Sequence, residues 1–419
     1  MTLIVISGAI ANKLDQGGEA WVRLSYLLGL RRMGYRVHFL EQITPQACVD
    51  THGAVAAFEV SANRAYFNEV MQAFGLADCS TLLPTDADGG AVVPAKLFEL
   101  ADSADALLNI SGHLSVEPLL GRFRTKVFID IDPGYTQFWH AAGNPGARLA
   151  GHDFYYTIGE NIGSPDCLIP MDGIPWRTTR PPVVLSEWPV VNLESVASTR
   201  RDRTERALLS ENASLDESHQ QNATLGESRL RFTTIANWRG SFGPVQIGNQ
   251  TFGQKVHEFR KIWELPCRVP SDFEISLNIY PGDHKDYETL NALGWRITDP
   301  LKAASTPDRF RRYVQQSGAE FSVAQGIYMQ TNSGWFSDRT TRYLASGKPV
   351  LVQDTGCGRH LPVGKGLLTF RTLDEAVAGA EAITADYETQ CAAARGIAER
   401  YFDSDKVLGR LLEEVGVAP

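Results

Sequence analysis

The sequence predicts an α/β protein built from two Rossmann-like, doubly wound parallel-sheet domains that face each other across a cleft. Short apolar runs, typical of buried parallel strands, alternate with helical patterns on both sides of a polar stretch from Glu194 to Arg229. The 419-residue chain is long enough for two domains of roughly 150 to 200 residues with full cores. Ligands of such folds bind at the carboxyl ends of the strands, so the cleft is the expected site.

The alternation also predicts the domain boundaries. We expect an N-terminal domain over residues 1–193, a polar connector over 194–229, a C-terminal domain over 230–385 and terminal helices over 386–419. The connector is charged and free of aromatic residues, which indicates an exposed, partly helical or disordered segment. Both terminal helices, near Asp386–Phe402 and Ser404–Val415, have amphipathic patterns.

The chain opens with a strand, a polar loop and a helix predicted over Glu19 to Met33, followed by the strand Arg36 to Leu40. Gly17 and Gly18 end the loop, and a glycine pair there lets the backbone approach a ligand closely. The loop lacks the G-x-G-x-x-G spacing of dinucleotide sites. A dinucleotide-dependent oxidoreductase is therefore disfavoured.

A second such unit spans Ser333 to Gly356. Ser337 is the expected N-cap of its helix, and the loop residues Ser333 and Gly334 lead into it. Free backbone N–H groups and the helix dipole at such a terminus favour a diphosphate, and the hydroxyl of Thr340 in the first turn could donate to it. We expect phosphate binding here.

Charge and cysteine content limit the partners. The net charge of −9 predicts neither nucleic acid nor an anionic membrane as the main partner. Six scattered cysteines without a C-x-x-C pair indicate reduced thiols and predict no zinc site or disulfide framework. Because Met1 leads directly into a strand and no apolar run reaches 18 residues, we expect a cytoplasmic protein without integral membrane association, and a homodimer is possible.

Five segments carry a resemblance to a known family. They are SGAIANKLDQGGEAWVRLSYLLGLRRMGYRVHFLEQ, NISGHLS, IDIDPGYTQFW, TTIANWRGSFGP and SGWFSDRTTRYLASGKPVLVQDTG. Together they resemble GT-B glycosyltransferases, in particular a bacterial family-1-like group that includes proteins similar to the spore protein CgeB. The resemblance implies that the N-terminal domain takes the acceptor, the C-terminal domain takes a nucleoside-diphosphate sugar, and the last helix crosses back to the first domain. It implies no cofactor besides this donor substrate.

The resemblance has one clear departure. Retaining enzymes of this fold usually place two glutamates, one near the sugar and one on the ribose, where this chain has Gly334 and Arg342. A guanidinium cannot accept hydrogen bonds from ribose hydroxyls. We therefore expect that Arg342 reads the nucleotide differently, or that the register is shifted.

Candidate catalytic residues follow strands of the first domain. The resemblance places His113 beside the sugar, where an imidazole can act as a base toward an acceptor hydroxyl. Asp132, at the expected end of a strand, is a candidate base or a group that orients His113. Purely structural roles, as a loop histidine and a turn cap, are the alternatives. Asp130 and Asp132 imitate a metal-binding D-x-D motif and could share a role on one face of the strand.

Candidate phosphate ligands follow the first strand of the second domain. The resemblance implies that Arg239 and Gly240, with Lys255 further on, neutralise the diphosphate leaving group in place of a metal. An exposed structural arginine is the alternative for Arg239. The predicted function is metal-independent transfer of a sugar to an acceptor, expected to be a small molecule or natural product. A nucleotide-sugar epimerase or hydrolase, or a catalytically silent binding subunit, remains open.

Overall fold

The computed structural model describes residues 2–191, 229–240, 242–247 and 250–418. Most of the predicted connector, 194–229, lies outside the described residues, and the domain boundaries remain a prediction. None of the helices in these ranges combines the length and the apolar character needed to span a membrane.

The first sheet has seven parallel strands in the order β3-β2-β1-β4-β5-β6-β7. These strands are β1 Leu3–Ser7, β2 Arg36–Ile43, β3 Ser80–Pro84, β4 Ala106–Ile110, β5 Lys126–Asp130, β6 Phe154–Thr157 and β7 Arg177–Thr178. The order reverses at β1 and β4, which opens a crevice at the carboxyl ends of these two strands.

The second sheet has six parallel strands in the order β12-β11-β8-β13-β14-β15, and a short antiparallel hairpin, β9-β10, stands beside it. These strands are β8 Arg231–Asn237, β9 Val245–Ile247, β10 Gln250–Phe252, β11 Asp272–Asn278, β12 Arg296–Thr298, β13 Ala319–Ser322, β14 Val350–Gln353 and β15 Leu367–Phe370. The predicted two-sheet α/β fold is confirmed.

Helices cover the faces of both sheets. The α-helices are Gly17–Arg32, Ala62–Ala73, Ala95–Ser103, Glu117–Leu120, Tyr135–Ala141, Lys255–Arg260, Leu265–Arg268, His284–Ala292, Pro300–Ala304, Pro307–Gln315, Gly326–Gln330, Asp338–Ala345, Leu373–Ala385, Tyr387–Tyr401 and Ser404–Glu414. The first helix begins two residues before the predicted Glu19. The strand predicted to end at Asp132 ends at Asp130, so Asp132 lies on the following loop.

The two domains share a hydrophobic core. Its largest cluster joins Trp21 of the first helix, Trp188, Phe310, Tyr343 and Leu408. The indole Nε1 of Trp21 donates to the Pro307 carbonyl at 2.8 Å, across 286 positions of sequence. The contact between the domains is thus a packed apolar interface with a buried hydrogen bond.

The glycine pair at the start of the first helix belongs to this interface. A Cβ on Gly17 would overlap the Thr306 carbonyl, and one on Gly18 would lie 2.8 Å from the Phe310 ring. The predicted close approach of the backbone is present, but it is an approach to the other domain. Only Gly18 also borders the cleft.

The terminal helices contact the first domain. Ser404 and Leu408 pack against Gly29 of the first helix, and Arg32 pairs with Asp405 at 2.7 Å. Val183 forms a parallel bridge with Asp403. The chain therefore returns from the second sheet to close the hinge side of the cleft.

Candidate functional site

A cavity of about 730 Å³ lies between the carboxyl ends of the two sheets. It is bordered by His113 and Asp132 of the first domain and by Gly240, Lys255 and Ser337 of the second. A side branch of about 180 Å³ shares Glu19, Asp132 and Lys255 with this cavity and adds Arg342. The structure thus gathers six of the predicted site residues, Gly18 included, around one cavity and a seventh at its branch.

Lys255 is the cation at the junction of cavity and branch. It begins the helix Lys255–Arg260, and its backbone N–H donates to Oε1 of Gln325 at 2.7 Å. Burial, followed by the positive charge of Arg339, lowers the pKa of its ammonium to about 7. Near neutral pH, Lys255 is therefore poised to gain a proton when an anion arrives.

Arg339 is a site residue that the sequence did not single out for the cleft. Its Nε donates to Glu320 Oε1 at 2.7 Å, its Nη2 to Ser322 Oγ at 2.7 Å, and its Nη1 to the Ile235 carbonyl at 2.8 Å. These contacts hold the guanidinium at the wall of both the cavity and the branch. Its buried partner Glu320 lies on β13, 19 positions earlier in the sequence, and no local sequence pattern reveals this pair.

The helix Asp338–Ala345 points its N-terminus at the cavity. Ser337 is its N-cap, as predicted, with Oγ accepting from the Arg339 N–H at 3.2 Å. Asp338 borders the cavity and pairs with the buried Arg342. Burial lowers the pKa of Arg342, against the charge of Asp338. Nε and Nη2 of Arg342 have no hydrogen-bond partner among the described residues.

Besides Gly17, four predicted donor-site residues border neither the cavity nor its branch. Ser333 donates its N–H and its Oγ to the Tyr328 carbonyl, and the Gly334 N–H bonds to the Thr355 carbonyl at 2.8 Å. The N–H groups expected to be free for a phosphate are therefore occupied. The hydroxyl of Thr340 is buried, away from the main cavity. Arg239 is held by Asp283, with Nε 2.7 Å from Oδ2.

His113 lies in a tight turn on the first-domain wall of the cavity. Ser111 and Gly112 before it both have left-handed backbone, with φ of 54° and 61°. Burial, followed by the charges of Arg23, Arg148 and Lys13, lowers the pKa of the imidazole well below its usual value. The ring is therefore neutral at physiological pH.

Asp132 faces the cavity on the loop after β5. Its Oδ1 accepts from the Tyr328 hydroxyl at 3.0 Å. Burial, followed by the carboxylates of Asp130 and Glu19, raises its pKa to about 6, although Tyr328 opposes the shift. A hydrogen bond between Asp132 and His113 is absent from the described part of the chain, so orientation of His113 by Asp132 is not seen here.

Asp130 does not share the cavity with Asp132. Its carboxylate is fully buried and accepts from Thr136 at 2.8 Å, Gln137 at 2.8 Å and Thr157 at 2.7 Å. Because β5 ends at Asp130, the two carboxylates do not lie on one face of a strand, and only Asp132 borders the cavity. The structure therefore excludes the shared role considered for the D-x-D pair. Within the described ranges, no three His, Cys, Asp or Glu side chains form a group able to hold a metal ion.

Solved structures with this arrangement are glycosyltransferases. Anabaena HepE in complex with UDP and glucose superimposes with a TM-score of 0.58 at 10% identity, over 99% of this chain and 100% of HepE. An alpha-glucosyltransferase in complex with UDP-glucose and DNA containing an abasic site gives 0.57 at 9% identity, over 99% of both chains. Sucrose-phosphate synthase from Thermosynechococcus elongatus gives 0.51 at 12% identity, over 99% of both chains.

The sequence itself gives no family match: neither a family model nor a curated protein matches this chain. The expectation that net charge excludes nucleic acid as a partner is wrong for this fold. The alpha-glucosyltransferase, which has the same architecture, was solved with DNA on it, both with an abasic site and with an A:G mismatch. An acidic total charge therefore says little about the acceptor of such a protein.

Taken with the two parallel sheets and the cavity between them, these similarities show that the chain has the GT-B glycosyltransferase fold.

Proposed function

We propose that this protein is a glycosyltransferase that moves a sugar from a nucleoside-diphosphate sugar to an acceptor hydroxyl. One observation carries the proposal: a single interdomain cavity with a cationic wall on the second domain and a proton-accepting wall on the first. Lys255 and the N-terminus of the helix Asp338–Ala345 form the cationic wall, and His113 and Asp132 form the other. Two separately loaded substrates would meet in this cavity.

The donor diphosphate would bind beside Lys255. Its negative charge would favour the protonated ammonium, so binding would raise the pKa of Lys255 from about 7. The dipole of the helix Asp338–Ala345 adds positive potential at the same place. Donors of hydrogen bonds that are already in position stabilise the charge that develops as the diphosphate leaves. Because the neighbouring structures hold UDP, a UDP-sugar is the first donor to test.

The leaving group would need no metal, since Lys255 and the helix terminus supply the positive charge. On the acceptor side, neutral His113 or ionised Asp132 would take the proton of the hydroxyl that attacks the sugar. Asp132 is ionised above about pH 6 and lies within both the cavity and the branch. Gly334 and Arg342, which replace the two usual glutamates, play no part in this proton transfer.

The test is a transfer assay with a panel of nucleotide-sugars and mixed hydroxyl acceptors, followed by mass spectrometry. We expect a glycosylated product with UDP-sugars, undiminished by a chelator, and a loss of roughly 10²-fold in turnover in His113→Ala with donor binding retained. Release of free sugar without any transfer would favour a hydrolase. Loss of all turnover with the chelator, restored by manganese, would contradict the metal-independent part.

A further inference from the structure

Three cationic side chains meet on the acceptor wall of the cavity, around His113. Lys13 comes from the loop between β1 and the first helix, Arg23 from that helix, and Arg148 from the loop after Tyr135–Ala141. All three border the cavity, and all three lie close enough to His113 to lower its pKa. They are separate from Lys255 and Arg339, which belong to the second domain.

Lys13 is held in place by an unusual anchor. The buried carboxylate of Glu41 on β2 accepts the backbone N–H groups of Ile10, Ala11 and Asn12 at 2.8, 2.9 and 2.9 Å. Because the three residues before Lys13 are fixed, its side chain projects from a rigid loop. It has no hydrogen bond or ion pair to any described residue.

Arg148 is presented in a similar way. Its backbone is left-handed, with φ of 51°, which a non-glycine residue adopts only at a conformational cost. A Cβ on Gly112 would lie 2.7 Å from the Cβ of Arg148, so the His113 turn packs directly against it. Arg148 is exposed to the cavity and makes no side-chain hydrogen bond or ion pair with the described residues.

Arg23 is only partly neutralised. Its guanidinium pairs with Glu19 and donates to the Glu19 carbonyl at 3.0 Å, but Nε is buried without a partner among the described residues. The other carboxylates at this wall are Asp15, which is exposed, and Asp132, which accepts from Tyr328. Nε of Arg23 has almost no exposed surface and packs beside Gly8, so Arg23 adds positive charge to this wall rather than a contact for a ligand.

We infer that the acceptor is a small molecule that carries a phosphate or carboxylate group, bound by the side chains of Lys13 and Arg148 so that its hydroxyl faces His113. This inference rests on the proposed function and names the substrate class of its acceptor side. Two cationic side chains without partners among the described residues, an ammonium and a guanidinium, suit a compact anion. The anion would also raise the pKa of His113, bringing the imidazole closer to the range in which it exchanges a proton with the acceptor.

The test measures binding of inorganic phosphate and of acetate to the full chain saturated with UDP, which occupies the donor side. We expect the dissociation constant for at least one of these anions to rise by roughly tenfold or more in Lys13→Gln/Arg148→Gln. The control Lys96→Gln/Lys365→Gln removes two exposed lysines that do not border the cavity and so changes net charge equally. Its affinity should match that of the wild type. Stronger binding of phosphate than of acetate, or the reverse, identifies the anion.

Equal anion affinity in the wild type and in Lys13→Gln/Arg148→Gln would overturn the inference, as would no saturable anion binding. A single-stranded oligonucleotide that binds about 10³-fold more tightly than phosphate, through the same two residues, would replace the small molecule with nucleic acid. Failure of UDP to bind any variant would count against the proposed function. UDP binding with unchanged anion affinity would count against this inference alone.

Discussion

At the scale of single residues, the pKa values of Asp132 and Lys255 predict how activity depends on pH. If ionised Asp132 accepts the proton, kcat/KM for the donor should rise as pH increases through about 6, where its carboxyl group ionises. Asp132→Asn should remove this limb and lower turnover by roughly 10²-fold. In Tyr328→Phe the hydrogen bond that lowers the pKa is gone, so the midpoint should move to higher pH.

The matched control for this pH profile is Tyr280→Phe, since Tyr280 is an exposed tyrosine outside the cavity. A profile in Tyr328→Phe identical to that of the wild type and of this control would remove Asp132 from the reaction. Retention of the acidic limb in Asp132→Asn would do the same, and would leave His113 as the proton acceptor.

Lys255 should produce the opposite limb. Below about pH 7 the ammonium of Lys255 is protonated and attracts the diphosphate. Above about pH 7 Lys255 must take up a proton when the donor binds, so donor affinity should fall as pH rises. Lys255→Gln should weaken UDP binding by roughly tenfold or more and remove this pH dependence, as titration calorimetry at several pH values would show. Lys261→Gln, which removes an exposed lysine outside the cavity, is the control. Equal losses in both variants would argue for a general charge effect.

At the scale of elements, the start of the first helix is the most sensitive contact between the domains. Gly17→Ala should destabilise the protein by about 1–3 kcal/mol, because the new Cβ would overlap the rigid backbone carbonyl of Thr306. Gly396→Ala is the control, because Gly396 is an exposed helical glycine with open space around it. This substitution should raise the free energy of unfolding of the protein by about 0.4–1 kcal/mol. Denaturant unfolding of both variants measures the difference, and a Gly17→Ala variant as stable as the wild type would contradict this packing.

Elements also mark what the sequence could predict. The core strands, such as β1, β4 and β14, were predicted because continuous apolar runs of this kind occur in strands buried on both faces. Strands β3, β7 and β12, at the sheet edges, were not, since they are short and mostly not buried. A strand is recognised in the sequence from the spacing of its apolar residues, and an edge strand buries too few residues to produce a clear spacing.

The candidate site was predictable only in part. His113 and Asp132 follow strands that local sequence patterns reveal, whereas the choice of Lys255 and the role of His113 came from the family resemblance. Asp283 and Thr355, the partners of Arg239 and Gly334, are distant in sequence, so no local pattern could show these contacts. The partner of Ser333 is the nearby Tyr328 carbonyl, but the sequence does not show that the loop turns back to it. The cations around His113 likewise meet only in the folded chain, because they come from two separate loops and the first helix.

At the scale of the whole molecule, the described parts form two parallel sheets with one cavity between their carboxyl ends and a shared core behind it. The terminal helix Ser404–Glu414 packs on the first helix, so a ligand-driven movement of one domain would shift this helix contact. The proposed function places the donor and the acceptor on different domains, with the donor on the second one.

The most direct test of that claim is hydrogen exchange of the full chain with and without UDP, read by mass spectrometry. We expect protection in peptides that contain Lys255, Ser337–Arg339 and Asn278, all of which border the cavity on the second domain. A ligand at 100-fold its dissociation constant should also raise the global free energy of unfolding by about 2.7 kcal/mol, which slows exchange throughout the protein. The deciding quantity is therefore the extra protection of these peptides beyond that global change. Protection confined to Gly8–Gly18 of the first domain would contradict the account.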